Sequence, residues 1–274
     1  DDVTDSDARN LVSNIFKREF KKMLKKIGYQ KDYKTLVIGL GNEKSTPDAL
    51  GPLVTSKLIV TNHFFDMNIN VDDKLSKLAA ITPGVTGQTG IETSDYVKGV
   101  VGALKPDLVI LVDALCSSSV ENVNKSIQVT DNGISPGSGI GNKRKEISKE
   151  TLNTKVISVG IPTVIDASTI VSDTINYMVK NYAYNKNHIN EKSNKFIKGP
   201  VNYLNKETKI TPADRKNFLG LVGALSDNEI KKLLYEVLTP IGYNLMVTPK
   251  EVDFILSKLS DVISYGINHS IHNI

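Results

Sequence analysis

The sequence has no tryptophan, one cysteine and four histidines in 274 residues. The lone thiol, Cys116, excludes a disulfide within the chain and fits a reducing compartment. It reads as a small buried or half-buried side chain rather than a nucleophile, because no histidine lies beside it in sequence. No H-E-x-x-H occurs, so a zincin is excluded at the level of motif. His269 and His272 read as a frayed helix end rather than a metal site. No apolar run approaches the roughly 18 residues of a membrane span, and no signal peptide precedes the first helical pattern. The expectation is a cytoplasmic protein with no membrane partner. Charge of one sign is scarce too: 34 Lys and Arg against 30 Asp and Glu leave a formal +4. With no long basic block, composition implies no nucleic-acid partner.

What is present is 40% hydrophobic content, enough to bury a full core. Length permits one large α/β domain or two small ones. The reading adopted is a single domain over residues 1–274. Leu11, Val12, Ile15, Phe16, Met23, Leu24 and Ile27 recur at helical spacing up to Gly28, a natural stop. TLVIGL (35–40) and DLVILV (107–112) are short continuous apolar runs of the kind found in buried parallel strands. Further strands are expected at 78–81 and 155–160. Helices are expected from Pro47 to about Val60, from Thr93 or Ser94 to Leu104, and from near Asp166. Strands alternating with helices in this way indicate a parallel sheet with helices on both faces. Residues 131–145 and 181–210 have no period and read as loops, the second as a mobile one. Residues 211–274 read as helical cover, with capping boxes at 226–229 and 248–251 and Leu233, Leu234, Val237 and Leu238 facing inward.

Ligands of open parallel sheets bind beyond the carboxyl ends of the strands. Asp48, Asp113 and Asp166 all fall in that zone. Asp113 follows LVILV without a spacer, so its carboxyl is expected to lose solvent and rise in pKa. Two such carboxyls close together can share a proton, one activating water while the other bonds the scissile carbonyl. Each aspartate also has a plainer explanation: Asp48 and Asp166 suit the first turn of a helix, and Asp113 suits a strand end bonded to loop amides. Physical reasoning marks the zone and leaves open which two of the three act.

Gly39-Leu40-Gly41 invites a dinucleotide reading, but position 44, where a third glycine belongs, is Lys44. Gly137, Gly139 and Gly141 follow no strand and suit a flexible loop. Lys143, Arg144 and Lys145 are either a solvated face or an anchor for acidic groups of a substrate, on a mobile loop over 133–145 that borders the cleft.

The blocks GLGNEKSTPDALGP (39–52), ITPGVTGQTGIETSD (81–95), PDLVILVDAL (106–115), GISPGSGIGNKRKEIS (133–148), GIPTVIDA (160–167) and NLMVTPKEVD (244–253) resemble the germination protease family of spore-forming bacteria. They run in family order along nearly the whole chain. The resemblance implies a three-layer α/β/α sandwich, phosphorylase-like and similar to the hydrogenase maturation proteases. It implies an endopeptidase of atypical aspartic type that degrades small acid-soluble spore proteins during germination in the spore core, assembled as a homotetramer. It further implies a zymogen that loses a propeptide, with this chain starting downstream of the mature N-terminus. The family's TPDALG and strand-end DAL aspartates fall on Asp48 and Asp113, which the resemblance makes the catalytic pair. Asp166 becomes a supporting or substrate-side residue. No metal or other cofactor is expected, although the related maturation proteases bind a metal with similarly placed groups, so a metal-dependent peptidase using the same carboxylates is the alternative. VIGLGN alone also resembles the opening strand of peptidyl-tRNA hydrolase.

Overall fold

The computed structural model describes residues 3–67, 71–137, 145–188, 208–238 and 245–274. Along the chain these form α1 (Ser6–Lys26), β1 (Thr35–Gly39), α2 (Leu50–Thr55), α3 (Asn62–Asp66), β2 (Leu78–Ile81), α4 (Thr86–Thr89), α5 (Thr93–Leu104), β3 (Leu108–Ser117), β4 (Gln128–Thr130), α6 (Lys149–Leu152), β5 (Lys155–Asp166), α7 (Ala167–His188), α8 (Pro212–Leu219), α9 (Asp227–Leu238), β6 (Met246–Val247) and α10 (Val252–Ile271). By internal contacts the chain divides into two units. One comprises Asp1–Ser117, Glu121–Val164 and Thr248–Ile274, and the other Ser118–Val120 and Ile165–Val247.

The first unit holds a mostly parallel sheet of strand order β2-β1-β3-β5-β4. Central β1 is parallel to both neighbours, with Thr35 opposite Leu78 on one side and Leu108 on the other. All five residues of β1 are buried, as a strand covered on both faces requires. Side chains alternate between two cores. Val37, Leu108, Ile110 and Val112 pack with Phe16 and Phe20 of α1, with α2, and with Leu256, Ile263 and Ile267 of α10. Leu36, Ile38, Val109 and Leu111 pack on Val97 and Val101 of α5 and on Leu152 of α6. The three-layer expectation is met.

Several boundaries differ from the sequence reading, each for a local reason. The helix expected from Pro47 to Val60 is a 3-10 turn over Thr46–Asp48 followed by short α2. Thr55 and Ser56 end it by donating back to the carbonyls of Pro52 and Leu53, at 2.9 and 2.8 Å. Strands β3 and β5 run past Val112 and Gly160, to Ser117 and Asp166. Short antiparallel β4, which has no apolar run of its own, pairs with β5. The C-terminus is ordered rather than frayed. His272 is buried, its Nδ1 accepting from Ser76 N–H at 3.1 Å while Nε2 lies 2.9 Å from Ile59 O. Of the two expected capping boxes, Ser226 and Glu229 form theirs. Thr248 does not, because its hydroxyl donates to Thr163 O at 2.9 Å.

In the second unit, α7 continues to His188, so the first residues of the expected loop are helical. Residues 189–207 lie outside the described residues. The last two residues of β5 pair antiparallel with β6. On α9 the inward residue is Ile230, with Leu234 half-buried one turn on. Leu233, Val237 and Leu238 are rotated outward and exposed, contrary to the expected inward face.

One backbone contact sets the position of everything near the first strand end. Added to Gly39, a Cβ would stand 2.3 Å from Gly51 O; added to Gly51, it would stand 2.2 Å from Leu40 O. Only glycines allow α2 to lie this close against the end of β1. Gly51→Ala is therefore expected to lower folding stability by about 1–3 kcal/mol, the range for overpacking. Urea unfolding checks this, and an unchanged midpoint would show that the two backbones do not touch.

Candidate active site

The site grows from the carboxyl ends of β1 and β3. The ladder between them closes with Gly39 opposite Val112 and with Leu40 N–H donating to Val112 O at 2.8 Å. Asp113 is thus the first residue of β3 beyond β1. It shares the strand face of Val109 and Leu111 and is only 6% exposed. Its Oδ1 accepts from Ala114 N–H at 2.9 Å, and no other described residue bonds it.

Gly41, at φ +111°, turns the chain after β1 with its open side against Asp48. Asn42 N–H then bonds both the carbonyl of Asp48, at 3.1 Å, and its carboxylate Oδ2, at 2.9 Å. Thr163 of β5 donates to the carbonyl of Pro47 at 2.6 Å, pinning the residue before Asp48. Asp48 is half-buried. No cation pairs with either aspartate among the described residues.

Burial pushes the Asp113 carboxyl from 3.8 up to about 8, the nearby Asp48 charge adds to the rise, and the Ala114 N–H opposes it. Burial also raises Asp48, against the pull of the Asn42 N–H. A carboxyl raised this far keeps its proton near neutral pH, and the Asp48 charge adds to the burial that holds it on Asp113. The arrangement puts a protonated carboxyl within electrostatic range of a second carboxyl, and an acid with a base is what addition of water to a carbonyl needs.

Asp166 is built differently. Its Oδ1 accepts from the Ser168 hydroxyl and from Thr169 N–H at 2.8 Å, and its Oδ2 from the Thr169 hydroxyl at 2.6 Å. Its partial burial would raise the pKa, but these bonds outweigh that and hold it below the usual value. It belongs to the second unit, at the start of α7. Lys145 donates to both oxygens of Asp95, in the first turn of α5, at 3.1 Å each. Lys143 and Arg144 lie outside the described residues, as does most of the expected loop containing them. Cys116 is half-buried on β3, within the expected range. Among the described residues, no group of three or more His, Cys, Asp or Glu is placed to hold a metal ion.

Asn42, Gln88 and Thr163 are brought to Asp48 only by the fold. Asn42 Oδ1 accepts from Lys44 N–H at 2.9 Å and from Gln88 Nε2 at 2.5 Å. The first of these is an Asx turn, and N-E-K directly after a glycine could have signalled it. The Gln88 and Thr163 contacts are non-local and had no sequence signal.

A family model described as germination protease matches residues 2–274. The germination protease of Bacillus cereus (strain AH187) is 45% identical over 276 residues, covering 98% of this chain and 75% of that protein. That of Bacillus licheniformis is 46% identical over 274 residues, covering 98% and 74%. Among solved structures, a [NiFe] hydrogenase maturation protease from Thermococcus kodakarensis aligns with TM-score 0.31 and 19% identity, over 48% of this chain and 74% of that one.

The Asp113 geometry has a consequence for stability. Its carboxyl keeps a proton in the folded state that the unfolded chain releases above about pH 4, so folded stability is greatest below that pH. It is lost as pH rises toward about 8. Asp113→Asn cannot ionise and avoids this loss. Its stability advantage over the parent is expected to grow from pH 5 to pH 8, reaching on the order of 3–5 kcal/mol, and then to level off. Denaturant unfolding across that range measures it; an advantage independent of pH would show that Asp113 is already ionised in the fold.

Proposed function

The chain belongs to the germination protease family, and from that premise we propose an endopeptidase that cleaves small acid-soluble spore proteins during germination, with Asp48 and Asp113 activating water. The observation that carries the reading is the pair itself: a buried carboxyl that keeps its proton, beside a second carboxyl tied to the end of the neighbouring strand. The family match along the chain makes the peptide bond its target.

In this reading Asp48 is ionised and Asp113 protonated at neutral pH. Asp48 takes a proton from water as the water oxygen bonds to the peptide carbon. The carbonyl π pair moves onto oxygen, which receives the Asp113 proton. The C–N bond then breaks, the nitrogen taking the proton held by Asp48, while Asp113 recovers its own from the hydroxyl as the carbonyl re-forms. An acid and an amine leave, both aspartates return to their starting states, and no covalent intermediate forms. Both proton transfers are assigned to these two carboxyls. Asp166 has a supporting role as the cap of α7. Lys143, Arg144 and Lys145 are assigned to an acidic residue of the substrate, and assembly is as a homotetramer.

Asp48→Asn and Asp113→Asn are each expected to lower cleavage of a small acid-soluble spore protein by about 100-fold or more while the circular dichroism spectrum is retained. Normal cleavage by both variants would remove the pair from the chemistry. The rate should fall at high pH with a limb near 8, where Asp113 loses its proton, and at low pH where Asp48 gains one. Cleavage is expected to survive exhaustive chelation. Loss restored by a divalent metal would instead make the two carboxylates ligands. Reversing the charge of Lys143, Arg144 and Lys145 should raise KM for an acidic peptide; an unchanged kcat/KM would remove that contact.

A further inference from the structure

We infer that the Asn42 carboxamide is a further catalytic group, its Nδ2 donating a hydrogen bond to the substrate carbonyl oxygen as that oxygen takes up negative charge. The inference rests on the reading that Asp48 and Asp113 hydrolyse a peptide bond.

The orientation of the carboxamide is fixed by its neighbours. A main-chain N–H can only donate, so the Asn42 atom facing Lys44 N, 2.9 Å away, is oxygen and not nitrogen. Gln88 is fixed in the same way: its Oε1 faces Val85 N–H at 3.5 Å, which turns its Nε2 toward Asn42 Oδ1 at 2.5 Å. Asn42 Oδ1 therefore accepts two hydrogen bonds. The Nδ2 group, on the opposite side of the same plane, carries two hydrogens that no described residue accepts. Asn42 is half-exposed, so water or a ligand can reach them.

The residue that carries this donor is held beside Asp48 by its main chain. The Asn42 N–H bonds Asp48 Oδ2 at 2.9 Å, and two residues earlier Leu40 N–H bonds the carbonyl of Val112, which precedes Asp113. A neutral donor suits this place better than a cation. Lysine or arginine here would draw both aspartate pKa values down and strip Asp113 of the proton it has to give. A carboxamide can stabilise a developing oxyanion without that effect, and its orientation is already set before substrate arrives. The turn alone does not call for asparagine. An Asx turn needs only the acceptor oxygen, which aspartate supplies equally well; what aspartate lacks is the N–H.

That difference provides the test. The full chain carrying Asn42→Asp or Asn42→Ala is compared with wild type for kcat and KM on a small acid-soluble spore protein, alongside Tm. Each kcat is read at the plateau of that variant's own pH profile. A charge effect on Asp48 or Asp113 then appears as a displaced limb and not as a lower plateau. Both variants are expected to lose about 100- to 1,000-fold in kcat, the cost of removing one oxyanion donor, with KM within about threefold. Asn42→Asp should keep its Tm, because the acceptor for Lys44 and Gln88 remains. If Asn42→Asp retains kcat within about fivefold of wild type, or Asn42→Ala does, the carboxamide is only a turn former and the inference is overturned. If the wild-type chain itself fails to cleave, the underlying reading falls, and that result is distinct because it appears before any Asn42 variant is made.

Discussion

The cost of placing a carboxylate where water cannot reach it governs the site. Asp113 stands at the end of a run of apolar residues, beyond the last residue of the neighbouring strand, with one backbone N–H for company. No described cation compensates it. The carboxyl therefore holds its proton to about pH 8, and a second carboxyl nearby deepens the effect. A group that keeps a proton at neutral pH can donate it, and holding the carboxyl in this place costs folding stability.

Placing Asp48 within range of Asp113 is a problem of backbone geometry, solved without long side chains. Gly39 and Gly51 let α2 press against the end of β1. Gly41 takes the chain through a turn that a side chain would obstruct, and Asn42 then ties its N–H to Asp48. Thr163 reaches from β5 to the carbonyl before Asp48. Short contacts of this kind leave little play, so the relation between the two carboxyls is set by the sheet and not by flexible side-chain rotamers. The same chain of contacts extends through Asn42 to Gln88 of α4, so residues far apart in sequence meet beside Asp48.

Much of this was visible in the order of residues. The runs TLVIGL and DLVILV are strands because an unbroken apolar stretch of that length must be covered on both faces. Thr93 to Leu104 is helical because its apolar residues recur at helical spacing. Where the reading slipped, a contact from elsewhere had intervened. Strand β5 extends past Gly160 to Asp166, where its last two residues pair with β6. His272 is held by Ser76 and Ile59, which are remote in sequence. Thr248 leaves its capping position for Thr163. On α9, four apolar residues pointed to a buried face without showing that Ile230 sets its angle.

The sequence by itself determined the layered α/β plan, the strand-end zone where chemistry belongs, the family, and Asp113 as the residue whose pKa must rise. These follow from local pattern: apolar runs, helical spacing, a carboxyl without a spacer after a strand, and motif blocks in order. Only the tertiary structure decided which aspartates stand near one another and which one caps a helix. It showed Asp166 enclosed by Ser168 and Thr169, Asp48 held by Asn42, and the Asn42 amide turned by Gln88 with its N–H groups left free. Burial and mutual charge are properties of the space around a group, and that space is assembled from segments that a linear reading keeps apart.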